Sequence, residues 1–324
     1  MISFPARAII TEVGPRDGLQ SLGRFVPTDE KLWLIERLAA AGLREIEAVS
    51  FAHPRFIPEL RDAEAVLERL PPLPGVNLRG LVPNARGAER AAATRIDEMV
   101  GLITASVAYS ALNQNTTIEG ALEQAILALR IAERAGKRFS LGLGMAFWCP
   151  LDGLIPEERV LAIVARLYDA GLRELMLAGS LGFEDPPTVR ARFARILDRH
   201  AGMTLCYHVH DQAGLASANV LAALDAGVTR FEVSICGLGG GVATPEAIGN
   251  MPTEDLVQML ELCGIETGLE SGAVIAAARD IAARLALPLT SRAGLHGNRA
   301  EALAHGRAKI AAKSRAVTES GASS

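Results

Sequence analysis

Three separate helical stretches end in the same small phrase and lead straight into a strand-like run, and this recurrence constrains the fold more than any other feature. The phrases are Ala41-Gly42-Leu43-Arg44-Glu45, Ala170-Gly171-Leu172-Arg173-Glu174 and Ala226-Gly227-Val228-Thr229-Arg230-Phe231-Glu232. In each, a glycine suits the residue that closes a helix, and an apolar run then begins. Strands are predicted over 8–13, 45–51, 78–82, 98–104, 139–145, 174–177, 203–208 and 231–235. Helical patterns fall between them, at 29–41, 59–70, 85–93, 118–135, 156–170, 187–199, 215–226 and 253–263. The first sets Leu32, Leu34, Ile35, Leu38 and Ala39 on one stripe, with Thr28 as N-cap and Gly42 as its close. This α/β alternation predicts a (β/α)8 TIM barrel over residues 1–268. A doubly wound sheet competes, but no Gly-x-Gly-x-x-Gly stands in its first turn. Beyond Gly268 the strand signal stops. Helices at 274–285 and 299–312 predict a C-terminal helical cap over 269–313, beside or across the barrel mouth. The Ser-, Gly- and Ala-rich residues 314–324 predict a frayed tail.

A chain of 324 residues, 49% hydrophobic and 22% charged, can bury a large core. Its net charge of −4, without a basic patch, argues against nucleic acid and membrane surfaces and for small-molecule partners. Cys149, Cys206, Cys236 and Cys263 are widely spaced, with no Cys-x-x-Cys pair, which fits a reducing cytoplasm. Met1-Ile2-Ser3-Phe4-Pro5 has no long apolar stretch after it, and no apolar run reaches the ~18 residues of a membrane span. The expectation is a cytoplasmic protein.

In such barrels the chemistry sits at the carboxyl ends of the strands. Arg16 and Asp17 follow the first strand, Glu47 lies in the second, and Asn84 and Ser106 follow the third and fourth. His208 and His210 end the seventh, and Asn250 comes after the eighth. An adjacent Arg-Asp pair is ordinarily a solvated turn. The distant Tyr207-His208-Val209-His210-Asp211 argues otherwise, because residues two apart in a strand project to one face. Asp17, His208, His210 and Asn250 make a mixed oxygen and nitrogen set suited to Mg²⁺ or Mn²⁺. A hydrogen-bonded core pair is the plainer account of the histidines. Arg16 would neutralise a developing enolate oxygen, or else make a rim salt bridge. Glu47 points into the barrel or outward, depending on register. The glycine run Gly237-Leu238-Gly239-Gly240-Gly241 is a tight turn or a lid beside the metal.

Together these residues resemble the hydroxymethylglutaryl-CoA lyase group of the metal-dependent barrel family that also contains isopropylmalate and homocitrate synthases. The resemblance runs from Val13 to about Gly268. It rests on Gly14-Pro15-Arg16-Asp17-Gly18-Leu19-Gln20, Ser50-Phe51 with Pro54-Arg55-Phe56-Ile57-Pro58, and Leu81-Val82-Pro83-Asn84. Cys149-Pro150, His208-Val209-His210-Asp211 and Gly237-Leu238-Gly239-Gly240 leading to Gly249-Asn250 complete it. It implies retro-Claisen cleavage of a 3-hydroxyacyl-CoA, 3-hydroxy-3-methylglutaryl-CoA or a relative, to acetyl-CoA or a homologue plus a keto acid. Asp17, His208, His210 and Asn250 match metal ligands, and Arg16, Asp17, Glu47 and His208 the catalytic set. Gln20, Asn84, Ser106, Ser180, Gly239 and Gly240 fall on the substrate side. A homo-oligomer, commonly a dimer, is implied as well.

Three positions depart from the family pattern. Gly241 stands where the lyases carry a loop cysteine. Leu177-Ala178-Gly179-Ser180 replaces a Leu-Gly-Asp-Thr phrase and loses its acid. Gly23, next to Arg24, replaces a lysine. Without the loop thiol the proton must move by another group: Ser180, Tyr109, His296 or a metal-bound water. Two other readings stay open, a condensing synthase of the isopropylmalate or citramalate type and a barrel that binds an acyl-CoA or metabolite without turnover.

Overall fold

Eight parallel strands close on themselves in sequence order, so that the first pairs with the second on one side and the eighth on the other. They are β1 (Ile9–Glu12), β2 (Glu45–Ser50), β3 (Asn77–Val82), β4 (Glu98–Thr104), β5 (Arg138–Gly144), β6 (Glu174–Ala178), β7 (Thr204–His208) and β8 (Arg230–Val233). The computed structural model describes residues 4–240 and 249–321, without the side chains of 113–114 and 314–321. All eight predicted strands are present. Register sets Ile9 against Arg230 at the closing seam and Thr11 against Glu45 between β1 and β2.

The helices form the outer layer: α1 (Thr28–Ala40), α2 (Ala63–Arg69), α3 (Ala85–Ala92), α4 (Val107–Gln114), α5 (Ile118–Arg134), α6 (Glu157–Asp169), α7 (Pro186–Arg199), α8 (Ala216–Asp225) and α9 (Thr253–Leu262). The core lies between the layers. Leu34, Leu38, Ile46, Phe147, Phe193, Tyr207 and Phe231 are fully buried there, each stabilising by roughly 1.5–3 kcal/mol. The repeated phrase does what its chemistry demands: Gly42, Gly171 and Gly227 take φ of 101°, 98° and 99° after α1, α6 and α8, a region that costs other residues energy.

Two local expectations change. Thr28 is the first helical residue of α1 and Pro27 its cap, because the Thr28 hydroxyl donates instead to Asp62 at 2.7 Å. The helix α4 has no apolar stripe to announce it, since Val107 and Leu112 are exposed; it is started by Ser106, whose hydroxyl accepts the Tyr109 amide at 3.0 Å.

After the barrel, α10 (Ser271–Arg284) runs antiparallel to α1, tied by Arg284 to Glu30 at 2.7 Å and by Arg37 to Asp280 at 2.8 Å. It therefore packs against α1 in the outer layer, and its Ala278 carbonyl accepts from Cys236 Sγ in the turn after β8 at 3.3 Å. The short α11 (Arg292–His296) is held where Asp255 accepts the Ala293 amide at 2.6 Å. The last helix, α12, covers Arg299–Gly321 and is exposed on every side from Arg299 to Lys313. Its backbone stays helical past Ser314, where the sequence predicts fraying. Among the described residues no helix is long and apolar enough to cross a membrane.

Candidate metal centre and active site

The mouth is built from a turn that sequence patterns do not announce. After β1 the chain makes one π-helical turn, Gly14–Gly18, in which the amides of Arg16, Asp17 and Gly18 all donate to the Val13 carbonyl at 3.1, 2.8 and 3.3 Å. The turn fits tightly: a Cβ at Gly18 would lie 2.8 Å from Leu238 Cβ. Consecutive side chains thus leave the same turn, and Arg16 donates to Asp17 Oδ1 at 2.8 Å and to the buried Glu47. A register shift between Glu47 and Val49 of β2 against β3 accompanies this, and Glu47, 0% exposed, faces the barrel interior.

Across the mouth, His208 and His210 place their Nε2 atoms 3.1 Å apart, and His208 Nε2 is 3.9 Å from Asp17 Oδ2. One ligand atom from each of Asp17, His208 and His210 lies within 4.8 Å of the others. The chain returns after β8 to bridge His210 with Asn250, while Met251 donates to the Val209 carbonyl at 2.8 Å. That backbone pairing sets the Asn250 amide against Asp17 Oδ2 at 2.7 Å and the Leu238 carbonyl at 2.9 Å. Asn250 Oδ1 is buried with no hydrogen-bond partner among the described residues. A carboxylate, two converging imidazole nitrogens and an unmatched amide oxygen form a donor set that fits a divalent cation.

The histidine is aimed from beneath. His208 Nδ1 lies 3.2 Å from Glu232 Oε2, which leaves Nε2 to face the ligand cluster. Arg79 donates to Glu232 Oε1 at 2.7 Å, to Glu98 at 3.1 Å and to Ser140 at 3.1 Å, so a line of buried charges fills the barrel axis. Burial raises the Glu232 carboxyl, but Arg79 and His208 outweigh it and hold it at about 2. Burial likewise raises Asp17, against Arg16, the two histidines and Asn250, which bring it below its ordinary value. Burial keeps Glu47 above its ordinary value despite Arg16. His208 is lowered by burial and raised more by Glu232 and Asp17.

Of the residues named from sequence, Arg16, Asp17, Glu47, His208, His210 and Asn250 come together. Gly239, φ 121°, belongs with them: a Cβ there would overlap the Asn250 amide and stand 3.1 Å from Asp17 Oδ2. Gly240 follows with φ 157°. Gln20 follows the π-helical turn and its Oε1 is buried without a hydrogen-bond partner among the described residues. The other three make structural bonds. Asn84 caps α3 by accepting the Gly87 amide at 3.0 Å, and Ser106 caps α4 while donating to Asp152 at 3.0 Å. Ser180, φ 64°, accepts the Met145 amide at 2.7 Å. Tyr109 is half-buried, and burial, Cys149 and Asp17 raise its phenol; His296 is exposed at the end of α11. Gly241 lies outside the described residues. Sequence reasoning missed Arg79, Glu98 and Glu232, whose one signal is a charge set among apolar strand residues, as in Phe231-Glu232-Val233.

Fold and site together define a (β/α)8 barrel with a donor set that fits a divalent cation at the carboxyl ends of its strands. The HMGL-like family model matches residues 7–281, and the chain belongs to that family. It is 35% identical over 289 residues to a hydroxymethylglutaryl-CoA lyase of Bacillus subtilis, covering 89% of this chain and 97% of the relative. It is 36% identical over 300 residues to the (R)-citramalyl-CoA lyase of Chloroflexus aurantiacus, covering 89% and 94%. Among solved structures, an Acinetobacter baumannii HMG-CoA lyase in complex with coenzyme A and 3-methylmalate superposes with a TM-score of 0.87 at 33% identity, over 92% of this chain and 98% of that one.

Proposed function

We propose that this protein cleaves a carbon-carbon bond in a 3-hydroxyacyl-CoA, 3-hydroxy-3-methylglutaryl-CoA or a close relative, by retro-Claisen chemistry. It is a carbon-carbon lyase of the acyl-CoA class. The observation that carries the reading is the Arg16 guanidinium, held by Glu47 and Asp17 at the edge of the Asp17, His208 and His210 cluster. The C3 hydroxyl loses its proton and becomes the carbonyl of the keto acid. The C2–C3 bond breaks, its electron pair moves into the thioester as an enolate, and a proton added at C2 yields acetyl-CoA or its homologue.

Asp17, His208, His210 and Asn250 would hold Mg²⁺ or Mn²⁺, which when bound polarises substrate oxygens. Asp17, kept ionised by its neighbours, is the anionic group beside the C3 hydroxyl. Arg16 neutralises the enolate oxygen, a role worth a hundredfold or more when such a donor is preorganised, on the order of 3 kcal/mol. Glu47 holds Arg16 in place. Gln20, Gly239 and Gly240 face substrate, whereas Asn84, Ser106 and Ser180 serve it by fixing the starts of α3 and α4 and the turn after β5. Tyr109 carries the proton in place of the loop thiol; its half-buried phenol lies within the field of Asp17. The enzyme works in the cytoplasm, consistent with four free cysteines, and as a homo-oligomer, a homodimer being the state to test by light scattering.

The citramalyl-CoA lyase relative supports a second acyl group. Metal-dependent release of acetyl-CoA from both acyl-CoAs, with wild type and His208→Ala, tests the reading. Cleavage lost in the variant supports it. Product formation only from acetyl-CoA plus a 2-oxo acid would favour a synthase, and no cleavage by a protein that still binds metal and CoA would favour a binding role.

A further inference from the structure

A carboxylate stands at the end of β6 that β6 itself does not supply. Gly179 follows the last residue of the strand, and its amide lies 3.4 Å from the His208 carbonyl, so a side chain at 179 would start beside the backbone of a metal ligand. No side chain fits. A Cβ built at 179 overlaps the carboxyl carbon and both carboxyl oxygens of Glu184. The backbone at 179 is not left-handed, and the three atoms nearest such a Cβ all belong to Glu184.

Glu184 is 3% exposed. Its Oε1 accepts the Tyr207 hydroxyl, and its Oε2 is buried without a hydrogen-bond partner among the described residues. A buried acid with one unmatched oxygen is costly to fold around, and packing alone does not explain it. The surrounding loop clasps the histidine segment. A Cβ at Gly182 would lie 2.6 Å from the His210 carbonyl carbon and oxygen, Gln212 donates to Leu181 at 3.3 Å, and Ala213 donates to Gly182 at 3.1 Å. Glu184 is the acid inside that clasp, bonded to the neighbour of His208 in the chain.

We propose that Glu184 is a positioning residue for the metal-binding histidines, an acid that has changed places in sequence with position 179. The acid of the Leu-Gly-Asp-Thr phrase sits on the strand end; here the following loop delivers a carboxylate into the volume a side chain at 179 would take. Through Tyr207 it fixes the outer side of β7 while His208 reaches inward from the next residue. The inference rests on the metal reading above.

The test is Mn²⁺ affinity, read by electron paramagnetic resonance of free ion, for the full chain, Glu184→Ala, the exchange variant Gly179→Asp/Glu184→Gly, and His208→Ala. Glu184→Ala should bind about 10–100-fold more weakly with an unchanged circular dichroism spectrum, and the exchange variant should recover most of that loss. Wild-type affinity in Glu184→Ala overturns the inference, as does an exchange variant that folds but binds no better than Glu184→Ala. Should Glu184→Ala not fold, Glu184→Gln replaces it: binding weakened about threefold or more supports the inference, and wild-type binding overturns it. If His208→Ala also binds Mn²⁺ like wild type, the metal reading itself fails; if only the Glu184 variants do, the failure is confined to Glu184.

Discussion

Glu232 Oε2 lies 3.2 Å from His208 Nδ1, deep in the barrel and on the side of the ring away from Asp17. The carboxylate therefore selects which imidazole nitrogen faces the ligand cluster. Glu232→Gln keeps the size and leaves Arg79 its bond to Glu98. The expected outcome is a Mn²⁺ affinity about 10–100-fold lower with the fold retained. Titration of the variant with Mn²⁺ checks this, and an unchanged dissociation constant would show that the ring needs no such support.

Arg16 bonds two carboxylates but is not itself a metal donor. Arg16→Gln should lower kcat by about 10²–10³ while Mn²⁺ affinity changes far less. The partner left behind can adjust: burial already raises the Glu47 carboxyl, and without Arg16 it would take up a proton. Parallel kinetics and metal titration separate the two effects, and a loss of metal binding as large as the loss of kcat would refute the division of roles.

Two buried acids contribute to the pH dependence of stability. Burial lifts Glu12 to about 7 against bonds from Thr253, Ile235 and Gly14, and lifts Glu254 to about 7 as well. Above the ordinary value of 4.5 the unfolded chain releases these protons while the folded chain keeps them. Both groups therefore reduce stability as pH rises from about 4.5 to about 7 and add no further slope above that. In Glu12→Gln the amide oxygen still accepts from Gly14 and Ile235, and Thr253 can accept in turn. Its urea midpoint should fall less between pH 5 and 7.5 than that of wild type, by the contribution of one group, ~3 kcal/mol at most. Equal slopes in the two proteins would rule this out.

Gly239 and Gly214 both have positive φ, but only Gly239 has neighbours where a side chain would go. Gly239→Ala should displace the Asn250 amide and weaken Mn²⁺ binding at least about tenfold, whereas Gly214→Ala should cost only ~1 kcal/mol of stability. Equal metal affinity in the two variants would mean that Asn250 tolerates the methyl group.

The barrel was legible because its repeating unit is written locally. Glycine closures at 42, 171 and 227, each followed by an apolar run, need no distant partner to be recognised. The convergence of these side chains was legible for a similar reason: His208 and His210 share a strand face, and Asp17 and Asn250 fall at strand ends. What escaped depends on contacts across the chain. Thr28 looks like a cap until Asp62, 34 residues on, takes its hydroxyl. The direction of Glu47 is fixed alongside a register shift in β2, which no alternation pattern reveals. The acid missing at 179 and the acid present at 184 are ordinary loop residues until folding superposes them.

Asn250 and Asp17 are 233 residues apart and meet across the mouth, with His208 and His210 between them in the chain. A nascent polypeptide that has not yet emerged as far as Asn250 lacks one member of the proposed donor set however well its earlier strands have paired. Tight capture of a cation then belongs to the last act of folding, when β8 seals against β1 and the chain doubles back to His210. The ion would act as a latch on a completed cylinder and not as a seed for its assembly, and chelation should loosen the seam between the first and last strands before it disturbs the rest.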